Sequence, residues 1–342
     1  MKKLAILLFL LLALGASFSL KDKFYQKSKP IPQKQEKQTL APSKIVVAYS
    51  FVKANQMPVI VAKEKGLFKK YNLDVEIKQV PKNITSVMVA GKADIMLGTP
   101  NVALAAVVEG TKLSWVGTVN NDSTIVMLSN KEPNDIKIVG VISGPNKIQS
   151  IGLLNLININ TNNLIFQEIS DNQAKLVAFK EKQVDSIYVQ KPDWLIFKKK
   201  ASLSDDYKII LDSSNNKKAQ TPIGIIVRNE LLKNNKKAVV NFSKALIEAD
   251  YWILKNKDGF IKLAEKHFSD MPKEDAKIQT EVYYDTLIGL EFIPTLAKGE
   301  EMLNFVSSSN PKAKDYNLTQ FVSREISDSL KKEGFLDKFK FN

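Results

Sequence analysis

Ile45-Val46-Val47-Ala48-Tyr49, then Met57-Pro58-Val59-Ile60-Val61-Ala62-Lys63-Glu64-Lys65-Gly66-Leu67-Phe68, then Leu73-Asp74-Val75-Glu76-Ile77, then Val87-Met88-Val89-Ala90-Gly91-Lys92-Ala93-Asp94-Ile95-Met96-Leu97-Gly98: the pattern of these four runs decides the fold. The first is an apolar run of strand length, suited to a strand buried on both faces. In the second, Pro58 sits where a first helical turn tolerates it and Gly66 is a helix stop. Leu73–Val80 alternates as a strand does. Asn83 is placed to cap a helix running to Gly91, and Ala93–Leu97 is the next strand. Thr99 then stands as an N-cap before Pro100, and Gly110 closes that helix. Strands alternating with helices imply a parallel-rich α/β sheet covered on both faces.

Downstream, Trp115–Val119 and Thr124–Leu128 read as strands around the polar loop Asn120-Asn121-Asp122-Ser123. A second α/β series begins at Ile136–Val141. Ser143-Gly144-Pro145-Asn146 lead into an amphipathic helix over Lys147–Ile157, followed by a strand at Leu164–Ile169. Asp171 is placed to cap a helix to about Lys182. Ser186–Val189 is a strand, Asp193–Lys199 a helix, Tyr207–Leu211 a strand and Ser213–Gln220 a polar loop. Ile223–Val227 returns the chain to the first series. The remainder is helical: Asn229–Lys255, Asp258–Phe268, Lys273–Leu287 and Leu318–Gly334, expected to cover the first sheet. Val89–Ile95 is weakly echoed by Phe179–Ile187, each a helix end, an Asp and an apolar strand. Two lobes of like construction imply a cleft between them, where ligands usually sit.

Upstream, Lys2-Lys3, the apolar run Leu4–Leu14 and the small residues to Ser19 have the form of a secretory signal peptide, residues 1–19. Cleavage is expected after Ser19; the rival is an uncleaved anchor, for which the run is short. Residues 20–43, rich in Lys and Gln with three prolines, read as an extended linker. The mature protein is thus expected to be exported, periplasmic or at the extracellular face of the cytoplasmic membrane.

Composition narrows the chemistry. The 342 residues include no cysteine and one histidine, His267. Thiol nucleophiles, cysteine zinc sites and histidine-based catalysis therefore lack raw material. No enzyme activity, cofactor or metal is expected. The net charge of +14 comes mostly from dispersed lysines mixed with acids, without an arginine cluster or basic–aromatic interleaving. Nucleic acid is not an expected partner.

Ala62–Phe68 with the strand carrying Asp74-Val75-Glu76, and Ala90-Gly91-Lys92-Ala93-Asp94-Ile95, resemble the two signatures of extracytoplasmic solute-binding proteins of the sulfonate/nitrate/taurine and thiamine-pyrimidine (NMT1/THI5-like) family. Glu248–Ile253 resembles that family's long helix after the return strand. The resemblance covers most of Lys44–Phe268. It implies a type II periplasmic-binding-protein fold: two α/β lobes, two crossing strands and a ligand cleft that closes by hinge motion. The first lobe would be 44–128 plus 223–342, the second 129–222. The implied partners are a small solute and an ABC transporter permease with its ATPase, with the binding protein a monomer. The solute would be a sulfonate- or nitrate-type anion or a pyrimidine-like heteroaromatic. A membrane-tethered ligand sensor and, remotely, a pyrimidine-making enzyme are the alternatives. Two departures mark lobe two as divergent: Lys182 stands where glycine is usual, and Gln190-Lys191-Pro192 where an aromatic-Glu-Pro is common.

Candidate ligand residues are polar groups at strand ends and helix starts: Ser50, Asn55 and Gln56 after the first strand, with Phe51 beside them; Thr99 and Asn101; Asn120 and Ser123 at the crossing; Ser143, Gly144 and Asn146; and Gln190 and Asp193. Tyr49, Phe51, Tyr188 and Trp194 could stack on a ligand, though core packing is the better reading of Tyr49 and Trp194. Asp94 and Asp185 are expected to hydrogen-bond local turns. His267 and Lys198–Lys200 are expected on solvated surface.

Overall fold

The computed structural model describes residues 41–50, 53–80, 84–142, 145–201, 206–308 and 310–341. The segment expected to be a signal peptide, the expected linker as far as residue 40, Asn83, and three candidate site residues, Phe51, Ser143 and Gly144, lie outside them.

The first series runs β1 (Ser43–Tyr49), α1 (Met57–Glu64), α2 (Leu67–Lys70), β2 (Leu73–Gln79), α3 (Ile84–Val89), β3 (Ile95–Gly98), α4 (Pro100–Val108) and β4 (Leu113–Asn120). The second runs β5 (Ile125–Ser129), β6 (Ile138–Val141), α5 (Pro145–Leu156), β7 (Ile165–Glu168), α6 (Asn172–Lys180), β8 (Ser186–Gln190), α7 (Lys191–Ala201) and β9 (Lys208–Asp212). Then β10 (Ile223–Arg228) leads into α8 (Asn229–Asn234), α9 (Lys236–Lys255), α10 (Lys257–His267), α11 (Lys273–Asp285), α12 (Leu296–Ser307) and α13 (Glu325–Lys332).

Two five-stranded sheets form, ordered β2-β1-β3-β10-β4 and β7-β6-β8-β5-β9. Position by position the orders correspond. In the first, β1 pairs parallel with β2 and β3, and β10 inserts antiparallel between β3 and β4. In the second, β6 pairs parallel with β7 and β8, and β5 inserts antiparallel between β8 and β9. Each inserted strand has just crossed from the other lobe. Every residue of β4 and β5 is buried, as strands covered on both faces must be. The sequence reading kept Thr124–Leu128 with the first lobe, whereas Ile125–Ser129 form β5 of the second sheet and the crossing occupies Asn121–Thr124.

The internal echo is structural. Asp94 accepts from the Val46 N–H (2.9 Å) while its own N–H donates to the Val46 carbonyl (2.8 Å). Asp185 accepts from the Lys137 and Ile138 N–H groups (both 2.8 Å), and its N–H donates to the Ile138 carbonyl (2.8 Å). Each aspartate, just ahead of β3 or β8, bonds the neighbouring parallel strand, β1 or β6, so these bonds are long-range rather than confined to local turns. Arg228 adds an ion pair to Asp94 (2.9 Å), passing over Gly91. Just ahead of the two aspartates the backbone turns left-handed, at Gly91 (φ 66°) and at Lys182 (φ 55°). The lysine that departs from the family pattern keeps the glycine conformation.

Other expectations need adjusting. Thr99 holds the N-cap position of α4 with extended backbone, but its side chain makes no capping bond. Asn101 Oδ1 instead accepts from the Val102 N–H (3.0 Å). The long helix over Asn229–Lys255 is broken at Asn235, whose side chain caps α9 through the Ala238 N–H (3.2 Å). Only Glu325–Lys332 of the last expected helix is α-helical, with a 3-10 turn at Leu318–Gln320. Helix α12 was not foreseen; Thr295 caps it through the Lys298 N–H, and Gly299 sits where a Cβ would fall 2.9 Å from Val322. As expected, α9 covers the first sheet, packing on α1 and α2. By contrast, α12 lies against α4 of lobe one and α5 of lobe two. Gly152 of α5 permits this: a Cβ there would fall 1.8 Å from Phe305.

A non-glycine residue in the left-handed region costs about 1–2 kcal/mol, more than the roughly 0.4–1 kcal/mol of added unfolded-chain entropy a glycine brings. Lys182→Gly is therefore expected to stabilise the protein by about 0.5–1 kcal/mol. The urea midpoint measures this; a lowered midpoint would contradict the backbone argument.

Candidate ligand cleft

A small polar pocket opens where the strand ends of the two sheets meet. Lobe one contributes Lys53, at the start of the 3-10 turn Ala54–Gln56, with Asn55 and Asn120. The crossing contributes Asp122, Ser123 and Thr124. Lobe two contributes Gln190 from the end of β8 and Pro192 from the first turn of α7. Gln279, Tyr283 and Thr286, on one side of α11 and its C-terminal turn, complete the wall.

The dominant contact spans the lobes. Lys53 Nζ donates to Asp193 Oδ2 (2.5 Å) and Gln190 Oε1 (2.8 Å). The other Asp193 oxygen accepts from Gln279 Nε2 (3.0 Å). The ion-paired side chains are only 20% and 14% exposed, so solvent screens the pair less than it would on the open surface. On the outer part of the same junction, Lys199 pairs with Glu274 (2.9 Å) and Lys200 with Asp275. These lysines, expected on a solvated face, join α7 to α11, because α11 runs alongside α7.

Below the pocket the crossing segments are bonded to one another. Asn120 Oδ1 accepts from the Ile223 N–H (2.9 Å), and the Ser123 N–H donates to the Thr221 carbonyl (2.6 Å). Asp122 accepts from Ser213 Oγ (2.5 Å) and the Thr221 N–H (3.3 Å). Its burial raises the carboxyl pKa, and these donors only partly counter that. Thr124 adopts positive φ (54°), which turns the chain into β5. Asn101 donates to Gln149 (2.5 Å), and Gln149 to Thr221 Oγ1 (3.2 Å), a buried chain linking α4, α5 and the return crossing.

The candidate residues therefore divide. Asn55, Asn120, Ser123 and Gln190 line the pocket, and Asp193 holds the pair across it. Asn55 Oδ1 and Gln56 Oε1 are buried without a hydrogen-bond partner. Ser50 follows β1, half-buried; it, Thr99, Asn101 and Asn146 are not on the pocket wall. Asn101 is taken up by the inter-lobe chain. Asn146 lies deeper in lobe two, accepting from the Ile142 N–H (2.9 Å) and donating to Tyr188 Oη (2.6 Å). Trp194 is core, edge-on to Tyr207 at 4.6 Å, and Tyr49 is buried. His267 pairs with Glu64 near the surface (3.1 Å). Among the described residues no cluster of histidine, cysteine, aspartate or glutamate could hold a metal.

Lys53, Asp122, Gln279, Tyr283 and Thr286 are pocket residues that sequence reasoning passed over. The last three had a legible signal, since positions 279, 283 and 286 fall on one face at helical spacing. Lys53 had none, because its partner is 140 residues away. Lys175 of α6 was also missed. It is fully buried, 3.5 Å from Asn146 Oδ1, with Nζ 4.6 Å from the Tyr188 ring centre.

The molecule is thus a two-lobed cleft protein of the type II periplasmic-binding-protein fold, with polar groups from both lobes converging on one small pocket. A family model described as NMT1/THI5 like matches residues 53–259, well over half of the chain, and the chain belongs to that family. Similar solved structures include the periplasmic aliphatic sulphonate binding protein SsuA from Escherichia coli, at 15% identity and TM-score 0.62, covering 78% of this chain and 91% of that one. The periplasmic nitrate-binding protein NrtA from Synechocystis PCC 6803 shares 14% identity at TM-score 0.62, covering 85% and 89%. The ligand binding component of an ABC-type import system from Staphylococcus aureus shares 13% identity at TM-score 0.65, covering 84% and 98%. Such identities establish the fold. No curated protein sequence matches the chain.

Burial lowers the Lys175 pKa to about 7 from the ordinary 10.5, with nearby Asp193 opposing the shift and Lys53 adding to it. Between those values the unfolded chain holds the extra proton, so stability should rise with pH over that window, by at most about 1.4 kcal/mol per unit. Urea midpoints from pH 7 to 9.5 should rise for the native protein relative to Lys175→Met. Parallel curves would contradict the shift.

Proposed function

We propose that the protein is the solute-binding component of an ABC importer, capturing one small organic solute and delivering it to a permease with its ATPase. The observation that carries this reading is the convergence of polar groups from both lobes on a single pocket at the crossings. Lys53, Asn55 and Asn120 face Gln190 and Asp193, so a ligand bound there would touch both lobes and hold them together. The working units are the two lobes, one built on β1–β4 and β10 with the late helices, the other on β5–β9. Export is part of the same reading, supported by the signal-like residues 1–19, and the protein acts as a monomer. Its structural neighbours, sulphonate- and nitrate-binding proteins among them, support the same role here.

Catalysis is not part of the reading. A pyrimidine-making enzyme on this fold would need histidines, and the single one here is paired with Glu64 away from the pocket.

Melting temperature should rise on adding the solute, because a ligand that binds only the folded state stabilises it by mass action. At about 100 times Kd the gain is about 2.7 kcal/mol, easily read as a shift. A panel of amino acids, sulfonates, carboxylates, inorganic anions and pyrimidines is the measurement. No shift with any of them, with the fold intact by circular dichroism, would contradict the binding role.

A further inference from the structure

Tyr283 of α11 stands on the pocket wall, and its hydrogen-bond partner, Asp250 of α9, lies off the wall in the core of lobe one. Asp250 is 1% exposed. The residues three and four away from it on α9, Leu246, Ile247, Ile253 and Leu254, are all buried hydrophobics. Among the described residues it enters no ion pair, and its one polar contact is the tyrosine, with Oδ1 3.2 Å from Tyr283 Oη. The charged groups nearest along the packed elements are engaged elsewhere: Glu248 with Lys70 and Tyr71, and Asp275 with Lys200. An ionised carboxylate without a cation is strongly disfavoured in such surroundings.

The hydrogen-bonding inventory around Tyr283 points to the same protonation state. In the pairing of β4 with β10, Asn120 faces Ile223 and Thr118 faces Gly224, so Val119 is bulged and has no partner in the register. Its carbonyl oxygen lies 3.5 Å from Tyr283 Oη. The tyrosine has one proton, and two oxygens face it. A carbonyl can only accept. A carboxylate could only accept as well, and one of the two buried acceptors would then go without a donor. With a proton on Asp250, the acid donates to Tyr283 Oη and Tyr283 donates to Val119, so each group is satisfied.

We infer that Asp250 is a positioning residue of the cleft, held as the neutral acid, which anchors Tyr283 to the end of β4 and leaves its hydroxyl no donor to offer a solute. Val119 comes just before Asn120 and the first crossing, so this relay fixes the pocket wall at the root of the segment about which the lobes move. Burial pushes the Asp250 pKa well above the ordinary carboxylate value, with the Tyr283 hydrogen bond opposing that rise. The consequence for the cleft rests on the solute-binding role proposed above; the protonation does not.

Infrared difference spectra of the native protein against Asp250→Asn, at neutral pH, test the protonation. The native protein should show the carbonyl stretch of a protonated carboxylic acid, lost in the variant. If the variant does not fold, Tyr283→Phe should shift that band, because the acid loses its acceptor. Carboxylate bands in its place would overturn the inference. The positioning is tested with the panel of amino acids, sulfonates, carboxylates, inorganic anions and pyrimidines. For any compound that raises the native melting temperature, Asp250→Leu should cut the shift to about half or less, and Asp250→Asn, which keeps a donor for Tyr283, should restore it. Asp250→Ala serves if the leucine variant does not fold. Equal shifts in the native protein and the donor-less variant would remove the positioning role and leave the transport role standing. If no compound shifts the native protein, both roles fall together.

Discussion

Neither sheet is complete without a strand that has just arrived from the other lobe. β10 fills the gap between β3 and β4, and β5 the gap between β8 and β9. Backbone groups buried in a sheet must find partners, so a lobe lacking its inserted strand would expose the unpaired edges of two strands. The crossings are therefore fixed at both ends by full ladders, and the lobes can move only by bending the short segments between. The first of those segments carries Asp122, Ser123 and Thr124 of the pocket wall, and the one before Ile223 is bonded to it through Thr221. The geometry that joins the lobes is the geometry that places the site.

The rest of the junction is divided between apolar and ionic contact. On one side α12 lies against both α4 and α5, with Phe305 seated over Gly152, and this contact belongs to a continuous apolar cluster running through both lobes. On the other side α7 meets α11 through Lys199, Lys200 and the Gln279–Asp193 hydrogen bond, and meets Lys53 of lobe one through the Asp193 ion pair. Apolar packing is non-directional and persists when geometry shifts slightly, whereas ion pairs are re-formed with other partners at modest cost where water can enter. The ionic side is the one suited to opening, and it is the side on which the pocket lies.

Much of the fold was legible because the two features that specify it are local. Ile45–Tyr49, buried but for the half-buried Val46, and Ile125–Leu128, fully buried within the run read as Thr124–Leu128, are apolar runs, and the stops at Gly66 and Gly91 fall at positive φ. Asp171 caps α6 as its position implied, through the Ala174 N–H. What could not be read depends on partners far along the chain. Lys53 finds Asp193, Lys200 finds Asp275, and Asn101 finds Gln149, none signalled by neighbouring residues. The missed helix α12 has the same origin, since Gly299 within it makes sense only against Val322. The aspartates of the echo were recognised as structural, but their reach to the adjacent strand depends on sheet order, which local pattern does not carry. Of the positions read as ligand candidates, Asn55, Asn120, Ser123 and Gln190 lie on the pocket wall, because chain reversals at strand ends must hold polar groups. Of the charged pair across the pocket, only Asp193 was among those candidates.

The central claim is that the lobes close on a solute at the crossings. It is tested most directly by the distance between them. The chain has no cysteine, so Lys92→Cys on lobe one and Lys180→Cys on lobe two, both exposed positions, can carry spin labels without other changes. Pulsed electron resonance on the solute-free protein should give a broad distance distribution that includes longer separations. The solute giving the largest melting shift should collapse it to one short, narrow distance. An identical distribution with and without that solute would contradict closure and remove the basis for reading the cleft as a capture site.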